Sequence, residues 1–283
     1  MKVLVAGGTG RLGRLVVEKL LDGGAEVRVL TRDGDRARAL RLRGAEVAMG
    51  DVRRPETLTF AVQDVDVVVS AVQGFVGTGR VSPKSVDRDG NAHLVEAAKE
   101  VGAAVVMVSI VGVAPDSPME LLRCKDAAER ELRASGVDWT IVRSAAFLEL
   151  WVELVGKGIV FGGGENPINF VSVQDVADVV TQAVLDRGRR GQVIEVIGPG
   201  CLTFNQLAAD LRALSGRPAR VRHVPRGLLR ILAPLNRQPR AALVMDTTDM
   251  TSDSLPGAQV GTTPLHQALA EAATFSRAGG SRG

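Results

Sequence analysis

In the first half of the chain, apolar positions fall into short, nearly unbroken runs separated by stretches with helical spacing. Val3-Leu4-Val5-Ala6, Glu26 to Leu30, Ala45 to Met49, Val65 to Val69 and Ala103 to Val108 each read as a strand, and Trp139 to Arg143 as a sixth. Runs this rich in Val, Ala and Ile suit strands covered on both faces. Between them, Arg11 to Leu21 carries Leu12, Leu15, Val16 and Leu20 along one helical face. Further helices are expected over 35–43, 56–62, 84–100 and 119–135. Alternation of this kind predicts an α/β fold with a parallel, doubly wound sheet. Gly23-Gly24 and Gly102 stand where helices should end.

From Phe147 onward the alternation becomes irregular. The Gly-rich stretch Gly156 to Gly164 reads as a loop, Ile168 to Val171 as a short strand and Gln174 to Leu185 as a helix. Val193 to Ile197 reads as a strand before the turn Gly198-Pro199-Gly200, and Thr203 caps a helix running to Leu214. The expected organisation is a core over 1–150 and a small C-terminal substrate lobe over 151–283, interleaved with the core as a single structural unit. Arg277 to Gly283 reads as a frayed tail.

Composition narrows the class. With 283 residues, 45% of them hydrophobic and 24% charged, the chain can bury a substantial core and is not a disordered sequence. The net charge of +3 is too mild to imply nucleic acid by itself. Its distribution is uneven, because Leu211 to Met245 holds eight Arg and no acid. That stretch interleaves Leu228, Leu229, Ile231, Leu232 and Leu235 with its cations. It fits an Arg-rich surface helix and loop, with an acidic partner, a quinone-bearing membrane or nucleic acid as the alternatives. Cys124 and Cys201 lie far apart with no Cys/His cluster, which argues against a disulfide framework and a structural zinc site. The chain opens on a strand, so no signal peptide is expected, and its longest apolar run, Val101 to Pro115, is short of the roughly 20 residues of a membrane helix. A soluble cytoplasmic protein is expected.

The sharpest chemical signal is Gly7-Gly8-Thr9-Gly10-Arg11-Leu12-Gly13, placed after the first strand and opening the first helix. Glycines at 7, 10 and 13 suit a tight turn, a close approach to a pyrophosphate, and close helix–strand packing. The helix start then offers unpaired N–H groups to phosphates, which points to dinucleotide binding. The alternative is a structural βα turn. Arg32 follows the second strand, where NAD-preferring sites often carry an acid. An arginine there suits the 2′-phosphate of NADP(H), with Arg11 assisting, while Asp33 keeps NAD(H) possible. Arg36 and Arg38 read as solvated helix charges. Asp51, before Val52 at the end of the third strand, can bond an adenine amino group or cap the next helix.

These motifs, with Gly50-Asp51, Val171-Ser172-Val173-Gln174-Asp175-Val176-Ala177, Lys125-Asp126-Ala127-Ala128-Glu129 and Ser135 to Arg143, resemble the extended, atypical short-chain dehydrogenase/reductases, and the NmrA-like group in particular. The resemblance covers about residues 1–200. It implies a Rossmann fold, usually NADP(H) binding, and a substrate cleft. Members include quinone reductases, isoflavone-type reductases and non-catalytic redox sensors. Carbonyl-reducing and sugar-epimerising members use a Tyr-x-x-x-Lys pair in which the phenol passes a proton. Here the Lys position is Lys125, the Tyr position is Leu121, and the chain contains no Tyr.

The resemblance implies that Lys125 binds ribose hydroxyls and that Ser109 lies beside the nicotinamide, each with a plain structural role as its alternative. Ala71-Val72-Gln73-Gly74 is expected to line the cofactor, and so are Ser144 and Phe147 after the sixth strand, where relatives often carry Pro in place of Ser144. His93 and Asp175 read as structural, and Cys124 as non-catalytic. The expected function is an oxidoreductase passing hydride to a quinone or similar acceptor. The alternative is a non-catalytic redox sensor or assembly protein. The expected partner is a small-molecule substrate or a redox partner. A homodimer stays open, nucleic acid is not expected, and no metal is expected.

Overall fold

The structure is a computed structural model describing residues 1–75, 79–156, 158–215, 221–234, 237–251 and 257–271. The tail at 277–283, Leu235, and the parts of the Arg-rich stretch at 216–220 and 235–236 lie outside the described residues. The chain divides into two compact units. One comprises Met1–Arg143 with Val176–Ile194, the other Ser144–Asp175 with Glu195–Gly283.

The first unit runs β1 (Lys2–Ala6), α1 (Arg11–Asp22), β2 (Glu26–Thr31), α2 (Arg38–Leu42), β3 (Glu46–Met49), β4 (Val67–Ser70), α3 (Asp89–Glu100), β5 (Ala104–Ile110), α4 (Glu120–Ala134) and β6 (Trp139–Ser144), whose last residue opens the second unit. The strand order is β3, β2, β1, β4, β5, β6 and then the strand Gln192–Ile197. Val3 of β1 pairs in parallel with Val27 of β2 on one side and with Val67 of β4 on the other. Val3, Leu4, Val5 and Ala6 are fully buried, as the central strand of a sheet covered on both faces must be. This is the Rossmann-like doubly wound arrangement, with helices flanking a parallel sheet. Leu4, Leu30, Leu58, Leu94, Met107 and Ile141 bring separate elements into one core.

Two expected helices take other forms. In place of a helix over 56–62 there is a single 3-10 turn, Pro55–Thr57. The following carbonyls are satisfied from the sheet instead: the Arg28 guanidinium donates to Ala61 O and Gln63 O, each at 2.8 Å. The helix expected over 84–100 begins as a π-helical segment, Pro83–Arg88, and becomes α3 only at Asp89. Ser82 and Ser85 form a capping box at its start.

In the second unit, the strand Ile168–Val171 lies between Ala146–Phe147, parallel to it, and Cys201–Leu202, antiparallel. Phe204 packs between Trp151 and Phe170, with ring centroids 5.0 and 6.0 Å away. The helix Phe204–Ser215 starts as expected. Gln206 N–H donates to Thr203 Oγ1 at 3.1 Å, and Thr203 N–H to Gln206 Oε1 at 2.8 Å. The Gly-rich stretch at 156–164 is not all loop, because Ile159–Phe161 pairs with Arg222–Val224. Beyond it, the N–H groups of Gly163 and Gly164 donate to the buried Asp246 carboxylate, which also pairs with Arg226. Among the described residues no helix is long and apolar enough to cross a membrane, and no group of His, Cys, Asp and Glu could hold a metal ion.

Candidate functional site

Strand order reverses between β1 and β4, and in a doubly wound sheet ligands bind outside the strand ends at such a point. Gly7 sits there with φ +86°, and a Cβ on it would run into the Ala71 backbone beyond β4, 2.8 Å from Ala71 C. Gly13 is as constrained, since its Cβ would lie 2.7 Å from Gly7 C and 2.8 Å from Gly8 Cα. The fold itself therefore requires both. Gly10 differs. Its φ is −81°, and a Cβ on it would meet only Gly7 O within 4 Å, at 3.2 Å. That approach is tighter than most Cβ contacts, yet far milder than the backbone collisions at Gly7 and Gly13. Gly10 is the N-cap of α1, and no side chain caps that helix start. A helix start without a side-chain cap, preceded by Thr9 and Gly10, is the kind of place where a phosphate binds.

On the β1–β3 side, Arg32 is solvent-exposed at the end of β2. Asp33 is turned into its own loop, accepting from Asp35 N–H at 3.0 Å. Asp51 is held by Arg53: the Arg53 backbone N–H donates to Oδ1 and its Nε to both carboxylate oxygens, all at 3.0 Å. These hydrogen bonds hold the Asp51 carboxyl below its ordinary range. Val52 is buried, and His93 Nδ1 bonds its carbonyl at 2.7 Å, so Nδ1 carries the proton. That contact ties α3 to the loop after β3.

On the β4–β5 side, Lys125 is 3% exposed. Its Nζ donates to Val108 O at 3.0 Å and to Val72 O at 3.2 Å, and lies 3.3 Å from Asp87 Oδ1. Two carbonyls accept from the ammonium, and Asp87 completes its surroundings as an ion pair rather than a hydrogen bond. Asp87 is fully buried on the π-helical segment, and its Oδ2 accepts from Gly74 N–H at 2.8 Å. Burial pushes the Asp87 carboxyl up, opposed by Lys125 and the Gly74 amide. Asn91 Nδ2 donates to Asp87 O at 2.7 Å, and Ser70 Oγ donates to Asn91 Oδ1 at 2.6 Å. Ser109, the residue after Val108, is buried. Gly7, Ala71, Val72, Ser109 and Lys125 thus all stand at the carboxyl ends of β1, β4 and β5, while Ser144 and Phe147 belong to the second unit.

Leu121 occupies α4 one turn before Lys125 and is buried. Cys124 is buried too, and desolvation, with Glu120 and Asp87 nearby, pushes its thiol up to about 11. That is the opposite of an activated cysteine. Asp175 anchors the second unit internally, accepting from Thr263 Oγ1 at 2.8 Å.

Four residues of the structure carry no signal that the sequence reading used. Asp87 and Asn91 sit four apart on the apolar face that also holds Gly90 and Leu94, and a polar pair on a buried face was the available signal. Arg53 had only its nearness to Asp51. Glu149 accepts from Ser172 Oγ and Val173 N–H at 2.9 and 3.0 Å, which only the fold reveals.

The NAD(P)H-binding family matches residues 7–187. The chain is 35% identical over 224 residues to an NAD(P)H azoreductase of Xenophilus azovorans, covering 77% of this chain and 75% of the relative. It is 31% identical over 245 residues to the photosystem II assembly factor Ycf39 of Synechocystis, covering 84% and 74%. Among solved structures, an NADPH-dependent quinone oxidoreductase of Escherichia coli in complex with NADPH superposes with a TM-score of 0.77 at 22% identity, covering 96% of this chain and 99% of that one. The chain belongs to the NAD(P)H-binding family, as its resemblance to the atypical, NmrA-like short-chain dehydrogenase/reductases implied.

Proposed function

We propose that the protein is an NADPH-dependent oxidoreductase that reduces a quinone or a similar conjugated acceptor without a side-chain proton donor. The observation that carries this reading is the cradle at Gly10, a side-chain-free, uncapped helix start at the point where strand order reverses. In this reading the amides of Arg11 to Gly13 hold the pyrophosphate, and Arg32 takes the 2′-phosphate. Asp51 is neutralised by its pair with Arg53, and Asp33 is turned into its own loop by Asp35 N–H. Val52 borders the adenine side, and Ala71 and Val72 the centre. Lys125 and Ser109 serve the nicotinamide side.

When bound, NADPH supplies a hydride to the acceptor. The reduced product of a quinone or enone takes its proton from water, so the chemistry does not require a phenol at position 121. What the protein contributes is binding and orientation.

A second reading, a dinucleotide-holding sensor or assembly protein, draws on the two carbonyls and the carboxylate around the Lys125 ammonium and on the likeness to Ycf39. NADPH oxidation by the purified protein, across quinones and enones with NADH in parallel, tests the proposal. Turnover with NADPH supports the enzyme. Tight NADPH binding with no turnover on any acceptor favours the second reading.

A further inference from the structure

Asp87 lies outside the glycine loop and the other sequence motifs, yet it is a fully buried carboxylate in contact with two parts of the candidate site. Its Oδ1 lies 3.3 Å from the Lys125 ammonium, and its Oδ2 accepts from Gly74 N–H at 2.8 Å. Lys125 in turn donates to Val72 O and Val108 O. One ion pair therefore ties together the loop after β4, the end of β5, α4 and the π-helical segment. The backbone packing agrees. A Cβ on Gly74 would lie 2.6 Å from Ser82 C, so the loop rests directly on the cap of that segment.

The π-helical turn suits this placement. A π segment shifts the side chains after it around the helix axis, and such segments cluster at functional positions. Here it carries Asp87 on the buried side next to Val86, and Asn91 fixes the Asp87 carbonyl. A carboxylate buried at this depth is tolerable only if paired and hydrogen-bonded.

We infer that Asp87 is a positioning residue for the nicotinamide side of the site, acting through Gly74 and Lys125 to set the 71–74 loop for NADPH. This rests on the proposed function for its ligand, but not for its structural half. The role is one of placement, because Asp87 is closed to solvent and reaches the cofactor side only through its two partners.

The test uses the full chain and NADPH, and reads the exchange rate of the Gly74 amide, the Kd for NADPH, and KM against kcat. In Asp87→Ala the Gly74 amide is expected to exchange about tenfold faster or more, and Kd and KM to rise about tenfold, with a smaller change in kcat. Asp87→Asn keeps an oxygen for Gly74, and is expected to restore its protection and bring Kd to within about threefold of the wild type. If Asp87→Ala does not fold, Asp87→Leu with Lys125→Met replaces it. That pair leaves no stranded charge and no acceptor for Gly74, and loss of Gly74 protection is again expected. Wild-type Gly74 exchange in Asp87→Ala, or in Asp87→Leu with Lys125→Met, overturns the inference, and so does a loss of affinity with Gly74 exchange unchanged. Failure of the wild type to bind NADPH would refute the functional reading alone, because the exchange comparison needs no cofactor.

Discussion

Leu121 precedes Lys125 by one turn of α4, and both side chains are buried, at 5% and 3% exposure. A Tyr-x-x-x-Lys enzyme would have a phenol at the first of these positions. Here the lysine keeps its place on an apolar helical face and is paired with Asp87. Lys125→Met strands that carboxylate and should destabilise the fold by about 3–5 kcal/mol, read as a shift in urea midpoint. Adding Asp87→Asn should recover most of the loss, because no buried charge then remains. A single variant as stable as the wild type would mean that the pair is not closed to water.

Gly10 and Gly13 should separate binding from folding. Gly10→Val brings its Cβ 3.2 Å from Gly7 O, a milder contact than those at Gly13, and fills the proposed phosphate cradle. It should lower NADPH affinity by about a hundredfold or more, at a smaller cost in thermal stability than Gly13→Ala. Gly13→Ala forces its Cβ against the Gly7 backbone and should cost about 1–3 kcal/mol of stability. Full NADPH affinity in folded Gly10→Val would remove the cradle from the site.

Arg32→Asp should reverse the dinucleotide preference. The loss of one charge-assisted contact is worth about 1.5–3 kcal/mol, or about ten- to a hundredfold in NADPH affinity, with NADH little affected. An unchanged ratio of the two dissociation constants would exclude Arg32 as the 2′-phosphate ligand.

Asp51 predicts an acid limb in stability. Hydrogen bonds from Arg53 lower its carboxyl in the folded state below the ordinary value of 3.8. A depressed acid stabilises the fold at pH above its unfolded value, and that contribution fades as pH falls through the folded value. Arg53→Ala should therefore be less stable than the wild type near neutrality, and the gap should narrow below about pH 4. Parallel stability curves for the two proteins across that range would show that the pair does not matter in solution.

Much of the sheet was legible because its strands are buried on both faces and written in Val, Ala and Ile. Val3 to Ala6 is the clearest case. The glycine loop was legible because its spacing carries a specific backbone demand, visible in Gly7 and Gly13. Two helices were misread for physical reasons. The 58–63 turn has its carbonyls satisfied by Arg28, which is 33 residues from Ala61 and cannot be paired with it by pattern. The π start before α3 coincides with a local Ser82–Ser85 cap and with the Gly74 contact to Asp87, and the second of these is not legible from helical spacing. Of the candidate site, Lys125 could be named from its motif. Its partners could not, since Val72 and Asp87 lie 53 and 38 residues away in sequence and meet it only in the folded chain.

The central claim is hydride transfer without a tyrosine. The most direct test is an anaerobic single turnover with NADPH carrying deuterium at both C4 positions of the nicotinamide and an enone acceptor from the panel. Loss of the reduced-nicotinamide absorbance is expected, with deuterium at the β-carbon of the product and the α-hydrogen drawn from water. NADPH that binds tightly yet keeps its deuterium with every acceptor would contradict the claim.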